Sequence, residues 1–188
     1  FEKGYGNNDV EGPDARHDTH VAGIIGANRK NDLGIKGIAD NVKIMSVRAV
    51  PNGDERDKDI ANAILYAVDN GAQIINMSFG KSFSPQKEAV DKAVKYAESK
   101  GVLLIHAAGN DGDDLDQKSD YPSKTLRDGS EAKSWLEIGA SSWGMDENFV
   151  GSFSNYGKKS VDLFALGVQI YSTVPNNEYE DLQGTSMV

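Results

Sequence analysis

From residue 42 to residue 105 the apolar positions keep changing period, and few folds accept such a pattern. Val42-Lys43-Ile44-Met45-Ser46-Val47 alternates as a strand does. From 59 to 70, Ile60, Ala61, Ile64, Leu65 and Val68 fall at helical spacing, and Gly71 stands where a helix ends. Ile74-Ile75-Asn76-Met77-Ser78 then reads as a buried strand. Ser84-Pro85 predicts a second helix start, a side-chain cap with proline in the first turn. Val90, Ala93, Val94 and Ala97 form its inner face, Gly101 closes it, and Val102-Leu103-Leu104-Ile105 is a continuous apolar strand. Strands alternating with helices in this way give a parallel sheet with right-handed crossovers. The expected class is α/β, a largely parallel central sheet flanked by helices.

After Trp135 the pattern shortens to strands at 136–140, 161–164 and 170–174. No repeat or linker interrupts it, and 188 residues suit one domain with a sizeable core. A formal net charge of -9 argues against binding to DNA or RNA, which needs basic surface to neutralise phosphates. With no cysteine, thiol nucleophiles, disulfides and Cys-ligated metals are excluded. No apolar run is long enough to predict a membrane segment. The opening Phe1-Glu2-Lys3-Gly4-Tyr5-Gly6 has neither the charged head nor the apolar stretch of a signal peptide. A start without Met and an end on Gly184-Thr185-Ser186-Met187-Val188 read as a chain cut at both ends.

In parallel sheets, ligands bind beyond the carboxyl ends of the strands. Chemistry is therefore expected in 48–59, 78–83 and 106–116. Three segments carry suitable groups. Arg16-His17-Asp18-Thr19-His20-Val21-Ala22-Gly23 puts a histidine at a helix entrance, with small residues behind it. His106-Ala107-Ala108-Gly109-Asn110-Asp111 follows a buried strand, and Gly184-Thr185-Ser186-Met187 sets a hydroxyl behind a flexible glycine. Singly, each is weak. His17 and His20 have the spacing of a metal pair but no third ligand, and His20 reads better as a packed or capping residue. His106 is expected to make a backbone hydrogen bond. The acidic runs 54–57 and 111–116 have a calcium-loop composition without the spacing of an EF-hand, and read as solvated loops.

Taken in order, these segments resemble the motifs H-G-T-H-V-A-G, A-A-G-N and G-T-S-M-A of the subtilisin-like serine peptidase family. Ile75-Asn76-Met77-Ser78-Phe79-Gly80 is similar to that family's substrate-flanking strand. Phe153-Ser154-Asn155-Tyr156-Gly157 and Val168-Gln169-Ile170-Tyr171-Ser172-Thr173 also match in place. The resemblance implies a subtilisin-like fold truncated at both ends, with residues 1–188 a partial peptidase catalytic domain. It implies a serine endopeptidase with His17 as general base, Ser186 as nucleophile and Asn110 as oxyanion donor. Ser78, Phe79 and Gly80 on one side, and Ala107, Ala108 and Gly109 on the other, would bind an extended protein or peptide substrate. It implies no organic cofactor, admits a calcium ion, and suggests export to the envelope or medium. Oligomeric state is left open.

Four departures stand out. The family's aspartate motif, Asp followed by Ser or Thr and Gly, is missing upstream of His17, so the triad aspartate is not in the chain. Asp9 and Asp14 precede His17 but read as surface-loop residues. Asp18, Leu166 and Val188 stand where the motifs have glycine, proline and alanine. Asp18 is expected to face away from His17, because neighbours on a helix diverge. Ser186, followed by Met187 and Val188, is expected to fray. These departures favour a weak or inactive chain, and the competing class is a non-catalytic, peptide-binding relative.

Overall fold

The computed structural model describes residues 6–50 and 53–188. The opening residues 1–5, read above for a leader, lie outside them, as do residues 51–52 of the segment 48–59. Among the described residues three α-helices are formed: α1 (Arg16–Gly26), α2 (Asp57–Asp69) and α3 (Lys87–Ser99). Strands β1 (Ile74–Met77), β2 (Leu103–Ala107), β3 (Trp135–Ser141) and β4 (Leu163–Leu166) make one parallel sheet in that order. A separate antiparallel hairpin joins β5 (Ile170–Val174) to β6 (Glu178–Leu182). The expected α/β class and the parallel crossovers are what the chain adopts.

The crossover helices form because their apolar stripes have a sheet to cover. Ile60, Ile64 and Val68 of α2 meet Val90, Val94 and Ala97 of α3, and both pack on Met77, Leu104 and Trp135. Each aliphatic side chain fully buried in this way contributes about 1.5–3 kcal/mol. Gly71 and Gly101 follow the two helices at φ +86° and +73°, a left-handed turn that glycine adopts without strain.

One expected helix start moves, and one expected strand does not form. Helix α3 begins at Lys87 rather than at Ser84-Pro85. The reason is Asp57 at the start of α2, whose carboxylate accepts from the Ser84 hydroxyl at 2.8 Å and the Gln86 N–H at 2.6 Å. Ser84 is thereby spent on α2 instead of capping α3. Burial works against the charge of Asp57, but Lys81, the Gln86 N–H and Ser84 together hold its pKa below the ordinary carboxylate value. The predicted strand 42–47 joins no ladder among the described residues. Its alternation serves another partner: Val42 and Ile44 lie against Gly26 at the end of α1. Strand β6 was not read from the sequence, since Glu178-Tyr179-Glu180-Asp181-Leu182 has little apolar content to mark it.

Helix α1 rests on β5 through close approach and hydroxyl bonds. A Cβ on Gly23 would stand 2.1 Å from Thr173 Oγ1 and 2.5 Å from Ser172 Oγ. Those hydroxyls donate to the carbonyls of Thr19 and His20, at 2.9 and 2.8 Å. His20 is fully buried and its Nε2 lies 3.0 Å from the carbonyls of both Ile170 and Glu180. It is the packed histidine that was expected, tying α1 to the hairpin.

Candidate active site

Two strand ends and one turn converge at the carboxyl edge of the sheet. Residues 107–110 leave β2, residues 78–82 leave β1, and the turn Thr185–Met187 is brought over them by a bond from Gly184 N–H to the Gly167 carbonyl. The turn is not frayed. Thr185 and Met187 are buried, and Met187 N–H bonds back to the Gly184 carbonyl at 3.1 Å. External hydrogen bonds replace the helical ones that so short a piece lacks. Val188 lies over Gly167, where a Cβ would come 2.8 Å from its Cγ1. Nothing in the structure explains leucine at 166.

Thr185 is the residue that organises the centre. Its N–H donates to Asn110 Oδ1 at 2.9 Å, its Oγ1 lies 3.2 Å from the same oxygen, and that Oγ1 accepts from Gly109 N–H at 3.1 Å. A backbone N–H can only donate, so the amide of Asn110 has one allowed orientation, with Nδ2 turned away from Thr185. Among the described residues neither Asn110 Nδ2 nor the Ser186 N–H has a protein acceptor. A Cβ built on Gly184 would lie 3.6 Å from that Nδ2 and 3.8 Å from the Ser186 nitrogen. Both nitrogens thus lie close beside Gly184, with Asn110 Oδ1 also at 3.6 Å from that Cβ. Gly184 itself sits at φ +151°, ψ 164°, a region essentially reserved for glycine.

Ser186 Oγ donates to the Ser78 carbonyl at 3.4 Å, and Ser78 Oγ donates to the Ser186 carbonyl at 3.2 Å. Phe79, Gly80, Ala107, Gly109, Asn110 and Ser186 line one open cavity of about 440 Å³. Ser78 stands beside it through its bonds to Ser186. Ala108 does not line it: its side chain is fully buried, its N–H bonds the Ile138 carbonyl, and its own carbonyl accepts from Asn155 Nδ2.

His17 stands on the first turn of α1, whose N-terminus is tied down by Asp14 bonding the Arg16 N–H and by a two-pronged Arg16–Glu180 ion pair. Helix α1 touches the Thr185–Met187 turn. His17 has Asp18 for its hydrogen-bond partner, Nδ1 to Oδ1 at 3.2 Å, and it does not line the cavity. The expectation that Asp18 faces away is therefore corrected. Both side chains are about half exposed, and at the open end of a helix nothing keeps them from turning together. That contact, opposed by partial burial, lowers the Asp18 pKa. Asp9 and Asp14 are exposed, and they bond the Gly12 and Arg16 N–H groups as loop residues do.

Sequence reasoning missed several supporting groups. His106 is wholly buried, and beyond the expected backbone bond (Nε2 to the Phe79 carbonyl, 2.8 Å) its Nδ1 meets Glu137 Oε1 at 2.7 Å. Glu137 also accepts from Trp135 Nε1. Burial opposes a charge on His106, yet Glu137 and the more distant Asp120 outweigh it and raise the pKa. Asn155 takes the N–H groups of Asp111 and Asp113 on its Oδ1, holding the loop after Asn110. Its place within Phe153-Ser154-Asn155-Tyr156-Gly157 was the available signal. Asp116 accepts from the N–H groups of Lys158, Lys159 and Ser160, so part of the acidic run 111–116 is structural. Among the described residues no three His, Asp or Glu side chains converge as a metal site.

The model of the subtilase family matches residues 2–188. The chain is 40% identical, over 98% of its length, to a thermophilic serine proteinase of Bacillus sp. (strain AK1), of which it covers 43%. It is 37% identical over 91% of its length to thermitase of Thermoactinomyces vulgaris, covering 56% of that protein. A cold-adapted subtilisin-like serine proteinase of known structure superposes with a TM-score of 0.73 at 32% identity, over 93% of this chain and 57% of that one. The chain spans about half the length of these relatives. By sequence over nearly its whole length, and by fold, the chain belongs to the subtilase family.

Proposed function

We propose that residues 1–188 form part of the catalytic domain of a serine endopeptidase that cleaves protein or peptide substrates through an acyl-enzyme on Ser186. In this reading, Ser186 Oγ bonds to the scissile carbonyl carbon while His17 takes its proton. The C–N bond then breaks as His17 returns the proton to the leaving amine, and water cleaves the resulting ester by the same path in reverse. The carbonyl oxygen, negative in each tetrahedral intermediate, is held by Asn110 Nδ2 and the Ser186 N–H. The observation that carries the proposal is the pair of unclaimed donors over Gly184, fixed by Thr185. The walls 78–80 and 107–109, with β1 at the sheet edge, suit an extended peptide pairing along the strand. No organic cofactor enters these steps, and export accompanies the reading.

A second reading, a relative that binds peptide without cleaving it, is favoured by the spacing of the first. His17 bonds Asp18, and Ser186 bonds Ser78, rather than each other. Labelling of the purified protein by a fluorophosphonate, beside a Ser186→Ala variant, separates the two. Labelling that disappears in the variant supports the peptidase. A folded protein that takes no label sinks it and leaves the binding module.

A further inference from the structure

We propose that Asp120 forms the floor of the pocket for the substrate side chain preceding the scissile bond, so that the protein selects Lys or Arg there. The inference rests on the reading that substrate is attacked at Ser186.

Asp120 lines the same 440 Å³ cavity as Ser186 and Asn110. An antiparallel bridge puts it there: the N–H of Lys81 bonds the Tyr121 carbonyl at 3.0 Å, and Tyr121 N–H returns the bond at 2.9 Å. The carboxylate then lies between the two walls. A Cβ on Gly80 would meet Asp120 Oδ2 at 2.7 Å, and one on Gly109 would meet it at 3.2 Å. Glycine at both positions leaves the room that Asp120 occupies, and a side chain entering between the walls ends against its oxygens.

Among the described residues the carboxylate has no counter-ion bonded to it. Lys81, on the near wall, is spent on Asp57 at 2.6 Å and on the Glu55 carbonyl. Lys118 is paired with Asp113. His106, buried behind the wall, is bonded to Glu137. No side chain among the described residues bonds or pairs with Asp120, and Asp111 adds a further negative charge to the lining. Burial, aided by Glu137 and Asp111 and opposed by His106 and the Tyr121 N–H, pushes its pKa up to about 6. A half-desolvated carboxylate without a partner favours an incoming cation. It disfavours an acidic side chain by repulsion, and a neutral one by leaving the carboxylate unpaired. Guanidinium matches it in two parallel bonds.

Two measurements on the purified protein test this, the first of them independent of turnover. Calorimetry compares benzamidine with its neutral analogue benzamide, and hydrolysis compares acyl-peptide anilides that differ only in Arg, norleucine or Glu before the anilide. At pH 7.5 the cation is expected to be preferred at least about thirtyfold on both readouts, and the ratio to collapse in Asp120→Asn. Asp120→Ser, checked for folding by circular dichroism, repeats the test should the first variant fold poorly. Cation preference in binding with no peptide cleaved supports the pocket and removes the catalytic reading. Cleavage without preference for Arg overturns the pocket and leaves catalysis standing. Benzamidine bound no tighter than benzamide, or bound equally by wild type and Asp120→Asn, also overturns it.

Discussion

Asp18 Oδ1 lies 3.2 Å from His17 Nδ1, so the residue that replaces the motif's glycine is the hydrogen-bond partner of the histidine beside it. A carboxylate accepting from Nδ1–H fixes the tautomer that leaves Nε2 free to take a proton. Both groups are about half exposed, and exposed pairs contribute only about 0.2–1 kcal/mol. Asp18→Asn is accordingly expected to slow fluorophosphonate labelling of Ser186 by no more than about fivefold. A drop of a hundredfold in labelling rate would mean that Asp18 carries the full orienting role.

Asn110→Ala removes one of the two donors over Gly184 while leaving Ser186 and His17 in place. Turnover is expected to fall about 10²–10³-fold. Thr185→Val, which removes one hydroxyl but keeps the N–H bond to Asn110, is expected to cost about 1 kcal/mol, roughly fivefold. Equal losses in both variants would show that the amide's orientation, not its donor, is what matters.

His106→Gln removes the cationic partner of the buried Glu137 carboxylate. Loss of one member of such a pair costs about 3–5 kcal/mol, and urea unfolding is the check. The sign with pH follows from the raised His106 pKa. Its contribution is fully present below the unfolded value and is lost as pH rises through the higher folded one. Wild type should therefore lose this part of its margin over His106→Gln in alkali.

Asp120 should act in the same direction in a lower pH window. Its folded pKa of about 6 lies above the ordinary 3.8, so stability is present in acid and lost as pH climbs through 6. The groups facing it are His106 on β2, Glu137 on β3, Asp111, Asp113 and Lys118 on the loops, and Lys81 on the near wall. Asp120→Asn is expected to flatten the fall in urea midpoint between pH 4 and 8. An unchanged profile would place the carboxylate in water.

Gly23→Val tests how α1 is seated. With Thr173 Oγ1 only 2.1 Å from the new Cβ, the helix must lift from β5, and overpacking of this kind costs about 1–3 kcal/mol. Because His17 rides on α1, labelling of Ser186 should fall as well. Loss of stability with labelling unaltered would uncouple the helix seat from the site.

Much of this was legible because it is local. Helical spacing gave α2 and the inner face of α3, and Val102-Leu103-Leu104-Ile105 gave β2. Small residues around His17, Asn110 and Ser186 pointed to the site. What escaped depends on pairs far apart in the chain. Asp57 takes the cap from Ser84, Val42 and Ile44 find a helix end instead of a ladder, and Glu137 meets His106 only through register between β2 and β3. Ala108 was counted as pocket lining because its neighbours are, yet alternation along an extended segment turns it inward. Asp120 had no local signature beyond its place before Tyr121-Pro122.

Thr185 bonds Asn110 and Gly109 from one side chain and one N–H, and Ser186 is its covalent neighbour. Ser186 Oγ and the Asn110 amide, 76 positions apart in sequence, thereby move as one piece. Thermal drift of the closing turn against the sheet becomes a common-mode displacement: the site wanders while its internal spacing holds. Strain imposed on the sheet from a distance then carries Ser186 and Asn110 along together more than it moves one against the other.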